Sequence, residues 1–195
     1  MARPEANWLE SLSKTRLIAE FSVWSADLGA LRADLTRVEP HVDMLHIDVS
    51  DGHFTAALLF FPDQIASLRK ATAKPMHVHL MVTGAVLLSQ IEQFAEAGAD
   101  LISIHAETDP AILREAFARI AALGLKAGLV LQLETPVEQA ELWLSDVALL
   151  TLVSTPIGIK GVQPDETTFL RLAQARALLD AKAPQVILAA DGGIR

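Results

Sequence analysis

The chain contains no cysteine, which excludes a disulfide framework and thiolate ligands, so any metal site must be built from nitrogen and oxygen donors. That absence fits a reducing cytoplasm, the expected location. The opening Met1-Ala2-Arg3-Pro4-Glu5-Ala6-Asn7 lacks the apolar core of a signal peptide, and no apolar run approaches membrane-spanning length. A soluble protein with no membrane partner is expected. Positive charge is also scarce: 16 Lys and Arg stand against 24 Asp and Glu, the net charge is -8, and no basic cluster stands out. Nucleic acid is a poor partner for such a chain, and an anionic ligand has to be captured by local donors. What is plentiful is apolar side chain, 51% of 195 residues, enough to bury a sizeable core in one domain.

Residues 1–16 read as an N-terminal cap segment, with Trp8, Leu9 and Leu12 on one helical face. A barrel domain is expected over 17–195. Strand patterns fall at Leu17 to Trp24, Met44 to Val49, Pro75 to Met81, Leu101 to His105, Lys126 to Gln132, Val147 to Val153 and Val186 to Ala190. Helical periodicity alternates with them, at Leu28, Leu31, Leu35 and Val38 after Ser25-Ala26-Asp27, then at Ile65 and Leu68, at Val86, Ile91 and Phe94, at Ile112, Leu113, Phe117 and Ile120, at Val137 and Leu142, and at Phe169, Leu172 and Leu178.

Alternating βα units with largely apolar strands indicate an α/β fold with a parallel sheet covered by helices. Ser22, Asp48, His79, His105, Gln132, Ser154 and Asp191 gather at C-terminal strand ends, the catalytic face of a (β/α)8 TIM barrel. An open doubly wound sheet usually carries a glycine-rich loop after its first strand, where this chain has Ser25-Ala26-Asp27. Only seven strands are found, so the eighth strand of the barrel is missing from this chain. Either the natural polypeptide is expected to be longer, or a neighbouring subunit to cover the exposed edges.

The polar chemistry concentrates in Leu45-His46-Ile47-Asp48-Val49-Ser50-Asp51-Gly52-His53-Phe54. Strand alternation points His46 and Asp48 the same way, and pairs His77 with His79 on the next strand. His46, Asp48, His79 and Asp191 would converge at a barrel mouth as a two-histidine, two-carboxylate set suited to zinc or a similar divalent ion. The same residues have a plainer reading, as packed core histidines and turn-forming aspartates. His77 lies deeper and is assigned to packing or to supporting a ligand. Asp48 and Asp191 suit an acid/base pair acting on opposite faces of a substrate, as epimerisation beside a carbonyl requires; capping of helices or turns is the competing reading. Gly158, Lys160 and Gly161 after the sixth strand, with Gly192 and Gly193 after the seventh, offer backbone N–H groups and a charge to an anion.

These motifs resemble the ribulose-phosphate 3-epimerase family. His46-Ile47-Asp48-Val49-Ser50-Asp51-Gly52-His53-Phe54 is similar to its HIDVMDGHF signature, His79-Leu80-Met81-Val82 to HLMV, Ser22 with Ser25-Ala26-Asp27 to S-x-x-SAD, Ile104-His105-Ala106-Glu107 to HAE, Gly128 with Thr135-Pro136-Val137-Glu138 to its fifth-strand motif, and Asp191-Gly192-Gly193-Ile194 to DGGI. The resemblance implies one divalent metal, zinc first with iron, manganese or cobalt as alternatives, on His46, Asp48, His79 and Asp191. It also implies Asp48 and Asp191 as catalytic acid and base, and substrate contacts from Ser22, His46, His79 and Met81. The implied partner is a small-molecule ketose phosphate inverted next to its ketone, and a homo-oligomer is expected. Departures surround the sugar and phosphate. Ser50 replaces methionine, Thr55-Ala56-Ala57 replaces V-P-N, Gln132-Leu133-Glu134 replaces N-P-G, and Ser154 to Gly161 replaces NPGFGGQ. The substrate is therefore left open among ribulose 5-phosphate and related tetrulose or hexulose phosphates. A related phosphate-barrel decarboxylase would need a lysine where Ser50 stands, and a barrel that only binds a sugar phosphate would not need both carboxylates.

Overall fold

The protein is described here by a computed structural model covering residues 3–13 and 15–194. Of the expected cap segment, residues 1, 2 and 14 lie outside the described residues, as does Arg195 of the barrel domain. Seven strands form one parallel sheet in sequential order: β1 (Glu20–Ser22), β2 (Met44–Ser50), β3 (Met76–Met81), β4 (Leu101–His105), β5 (Lys126–Leu131), β6 (Leu149–Val153) and β7 (Ile187–Asp191). A short helix α1 (Trp8–Ser11) precedes them. The connections carry α2 (Leu31–Val38), α3 (Pro62–Arg69), α4 (Gly84–Ala97), α5 (Pro110–Ala122), a 3-10 segment at Val137–Trp143 and α6 (Thr168–Lys182).

Laid flat, β2 and β7 would stand about 24 Å apart at ordinary interstrand spacing. His46 on β2 and Asp191 on β7 instead approach to 3.5 Å, so the sheet curls until its ends face each other. This is the barrel architecture expected, without its eighth strand: among the described residues, none bridges β1 and β7. No described helix is long and apolar enough to cross a membrane.

The pleat divides each strand between two environments. Leu45, Ile47 and Val49 of β2 and Val78 and Leu80 of β3 pack in one cluster with Leu35, Ile65, Leu68, Ile91 and Phe94 of the helices. Full burial of each such side chain contributes about 1.5–3 kcal/mol. The alternate positions are polar, so these strands are less uniformly apolar than a first reading suggests. His46, Asp48, His77 and His79 face the barrel interior and are nevertheless buried. At the floor, Met44, Leu101 and Leu149 open β2, β4 and β6, and α1 lays Trp8 against them. Alternate strands contributing one layer is the packing expected of such a barrel.

Local boundaries differ from the sequence expectation for identifiable reasons. β1 is confined to Glu20–Ser22, because Arg16 and the Ala19 N–H both engage the Asp43 carboxylate ahead of it, and Val23–Ser25 turns into a 3-10 helix behind it. α2 starts only at Leu31, since the Asp27 carboxylate accepts from the Gly29 N–H at 2.9 Å and makes a turn there. α6 is rotated so that Thr168, Arg171, Ala175 and Leu179 face inward, leaving Phe169 80% exposed. Its phase follows from Arg171, whose guanidinium donates to the carbonyls of Gln132, Thr135 and Val153; turning Phe169 inward would leave these carbonyls without that donor.

Trp8→Ala should leave a void under the floor layer and cost about 3 kcal/mol, measured by urea denaturation. A loss below about 1 kcal/mol would show that the interior is closed at that end without α1.

Candidate active site

Four side chains meet where β2, β3 and β7 end. One ligand atom from each of His46, Asp48, His79 and Asp191 lies within 4.8 Å of all the others. His46 Nε2 is 3.1 Å from Asp48 Oδ1 and 3.5 Å from Asp191 Oδ2; His79 Nδ1 is 3.5 and 3.6 Å from the same two oxygens. The parallel register sets this up, placing Asp48 directly beside His79 and Ser22 beside His46. Ser22 Oγ donates to Asp48 Oδ2 at 3.1 Å. One Asp48 oxygen therefore faces the histidines while the other faces the β1 side.

The electrostatics are those of a crowded, dry site. Burial disfavours charge on His46, yet Asp48, Asp191 and Glu20 outweigh it and hold the ring well above its usual range. Burial opposes ionisation of Asp48 too, but His46 and His79 keep its carboxyl well below the usual range. His79 goes the other way: burial, with His105 and His46 beside it, pushes the ring down to about 4, so it is neutral at pH 7. Its Nδ1 is buried and has no hydrogen-bond partner, although two carboxylate oxygens stand opposite. A buried nitrogen lone pair left bare among carboxylates is what a divalent cation would satisfy. The donor set of two imidazoles and two carboxylates fits such an ion.

A cavity of about 1970 Å³ opens beside this cluster, on the flank between β1 and β7. Ser22, Asp48, His79, Met81, Gly158, Lys160, Gly161, Asp191, Gly192 and Gly193 all line it, and His46 stands behind Asp48. Gly192 has φ +95°, and a Cβ there would lie 2.4 Å from Thr155 Oγ1, so glycine is required at this turn. The loop after β6 reaches over the mouth: Thr55 Oγ1 donates to the Ile157 carbonyl, and Lys160 Nζ donates to the Trp24 carbonyl at 2.6 Å above the indole ring. Lys160 is thus tied to the β1 loop while still lining the cavity. Ser50 donates to the Ala57 carbonyl at 2.8 Å, folding the loop after β2 back on its strand.

The sequence-derived site residues therefore come together, and further side chains join them. Glu20 Oε1 lies 3.3 Å from His46 Nδ1 and 2.6 Å from His77 Nδ1, while His77 Nε2 lies 2.6 Å from Ser103 Oγ. Two-residue alternation back from Ser22 would have put Glu20 on this face. His105 Nε2 is 2.8 Å from His79 Nε2, and His105 Nδ1 is 3.0 Å from Glu107 Oε2. Gly128 keeps room for this layer, since a Cβ there would lie 2.0 Å from Ser103 Oγ. Asp51 shapes the loop above: its carboxylate accepts from the N–H groups of His53, Phe54 and Thr83 at 2.8–2.9 Å. Phe54 then packs against the His105 ring, their centroids 4.7 Å apart.

A curled parallel α/β sheet with a converged histidine and aspartate cluster at the carboxyl ends of its strands is the architecture of (β/α)-barrel enzymes. Solved structures agree on the fold. The 3-hexulose-6-phosphate synthase from Salmonella typhimurium superposes with a TM-score of 0.66 at 12% identity, covering 91% of this chain and 80% of that one. A mutant tryptophan synthase alpha-subunit from Pyrococcus furiosus gives 0.64 at 13%, covering 91% and 78%. The family model described as the ribulose-phosphate 3 epimerase family matches residues 18–195, and the chain belongs to this family of isomerases. It is 34% identical over 175 residues to the ribulose-phosphate 3-epimerase of Bacillus subtilis, covering 89% of this chain and 79% of that protein. It is 31% identical over 186 residues to that of Synechocystis sp., covering 94% and 80%.

Asp51→Ala should cost about 1–3 kcal/mol, because it strips the acceptor from backbone N–H groups at the site's edge. Partial burial opposes ionisation, but those N–H donors hold the carboxyl at about 2. A folded value below the unfolded one of about 4 gives stability that is present at neutral pH and drains away as pH falls from about 4 through 2. The gap between wild type and variant in urea denaturation should narrow below about pH 4. A gap constant with pH would mean that the charge plays no part.

Proposed function

We propose that the protein is a metal-dependent epimerase that inverts the carbon next to the ketone of a ketose phosphate, through an enediolate. The observation that carries this reading is the convergence of Asp48 and Asp191, from β2 and β7, on the same pair of imidazole nitrogens beside an open cavity. Relatives named ribulose-phosphate 3-epimerase support ribulose 5-phosphate as substrate. The loop after β6 lines the cavity and departs from the family pattern, so tetrulose and hexulose phosphates belong in the same assay.

His46 Nε2, His79 Nδ1 and one oxygen from each aspartate would hold the ion, with zinc proposed first. When bound, it supplies positive charge that stabilises an enediolate. The chain's own groups divide the remaining work. Asp48 Oδ1 faces the histidines, which leaves Oδ2, oriented by the Ser22 hydroxyl, to take or return a proton on one face of the substrate. Asp191 turns Oδ2 to the histidines, so Oδ1 serves the opposite face. In one direction Asp48 accepts the proton and Asp191 delivers one; in the reverse direction they exchange roles. Met81, buried beside this pair, helps to exclude water. Gly192, Gly193, Gly158, Gly161 and Lys160 are proposed to receive the phosphate, through N–H groups and a charge.

Protein purified without chelator should contain about one equivalent of divalent metal, read by elemental analysis. Full epimerase activity in metal-free protein would overturn the reading. Asp191→Asn should lower epimerisation by about 10²- to 10⁴-fold, while solvent deuterium, if it enters the substrate at all, does so without inversion. Normal turnover by this variant would remove Asp191 from the pair.

A further inference from the structure

Both imidazoles that face the aspartates have a carboxylate at their other ring nitrogen, directly or through a second ring. Behind His46 it is direct, Glu20 Oε1 at 3.3 Å from Nδ1. Behind His79 it acts through a second ring, His105 Nε2 at 2.8 Å and then Glu107 Oε2 at 3.0 Å from His105 Nδ1. Neither carboxylate is loosely placed. Glu20 also accepts from His77 Nδ1 at 2.6 Å, while Glu107 Oε1 accepts from the Gln132 N–H at 3.0 Å and from the Thr135 hydroxyl.

Proton placement follows from these contacts. An ionised carboxylate only accepts, so a ring nitrogen hydrogen-bonded to one is the donor. His105 therefore carries its proton on Nδ1, toward Glu107. The 2.8 Å contact between His79 Nε2 and His105 Nε2 holds one proton. His79 supplies it, because a proton on its Nδ1 instead would be a buried N–H without a hydrogen-bond partner. A neutral His79 with its proton on Nε2 has a bare Nδ1, the same buried atom that lacks a partner. His46 Nδ1 faces Glu20 Oε1 at 3.3 Å, where a ring proton meets a carboxylate, and its Nε2 faces Asp48 and Asp191 and is the nitrogen left for an ion. Opposite nitrogens of the two rings thus become ligand atoms, and both face Asp48 and Asp191.

We infer that Glu20 and Glu107 are positioning residues that fix the tautomers of His46 and His79, and so set which nitrogen of each ring takes a divalent ion. This rests on the metal reading above. Each carboxylate acts on the ion through an imidazole.

Two measurements decide it. The first is the affinity of metal-free protein for Zn²⁺, by competition with a chromophoric chelator, with Co²⁺ visible absorption reporting ligand geometry. Glu20→Ala and Glu107→Ala should each weaken binding about 10- to 100-fold, and Glu20→Gln and Glu107→Gln, which keep an acceptor oxygen, should recover part of it. Affinity within twofold of wild type in alanine variants that still unfold cooperatively would overturn the inference. The second needs no variant. Long-range ¹H–¹⁵N spectra should show the proton of His79 on Nε2 in metal-free wild type, and that of His46 on Nδ1 once Zn²⁺ is bound. The opposite tautomer on either ring would overturn the assignment for that ring even if the alanine variants do not fold. Wild type that binds no divalent ion at all would instead sink the metal reading on which this one rests.

Discussion

Asp48 and Asp191 approach from opposite ends of a curled sheet, and two carboxylates brought this close out of water have to be compensated. Their Coulomb repulsion, a kcal/mol or so in bulk water, rises several-fold where solvent is thin. The structure answers with imidazoles. His46 stands between the two aspartates, and His79 faces both with a bare nitrogen. One ring is driven toward the charged form and the other toward the neutral one, although they lie on adjacent strands. Asp48 and Asp191 act most strongly on His46, with Glu20 adding to them, whereas His79 is buried against the rings of His105 and His46.

Keeping so much polarity inside the barrel places demands on the scaffold. The outward faces of β2 and β3 pack against α2, α3 and α4, which leaves the inward faces free to be polar. Each inward polar group then needs a partner, because an unsatisfied buried group costs about 1–3 kcal/mol. His77 finds Glu20 and Ser103; Ser103 has space because position 128 is glycine. Glu107 finds a Gln132 N–H and the Thr135 hydroxyl, and the carbonyls of those same two residues accept from Arg171 of α6. A helix on the outside is thereby linked by hydrogen bonds to the far end of the histidine chain. The rotation that exposes Phe169 serves this arrangement, and an apolar count along α6 does not foresee it.

Much of this was legible in the chain. The strand cores, the order of the units and the meeting of His46, Asp48, His79 and Asp191 follow from period-two alternation and from polar residues at strand ends. Less legible was whatever depended on a neighbour distant in sequence. β1 is trimmed by Asp43 from the following unit, and α6 takes its phase from carbonyls on two loops. Glu20 was missed for a related reason. A single glutamate inside an apolar stretch reads as a surface residue until His46 and His77 are known to lie against it. Glu107 stands beyond the end of its strand, where alternation no longer says which way a side chain points.

The two aspartates share an environment unequally, and this bears on the chemistry. Asp48 keeps 9% of its side chain accessible and is held by Ser22, while Asp191 keeps 29% and lies on the flank between β1 and β7. A carboxylate that is buried and hydrogen-bonded holds its orientation but exchanges protons with solvent slowly. One bordering an open cavity meets water readily. A proton removed by Asp48 would therefore stay within the site longer than one removed by Asp191. In the proposed inversion both carboxyls have to be reset before the next turnover, and two carboxyls so unequally buried would reset at unequal rates.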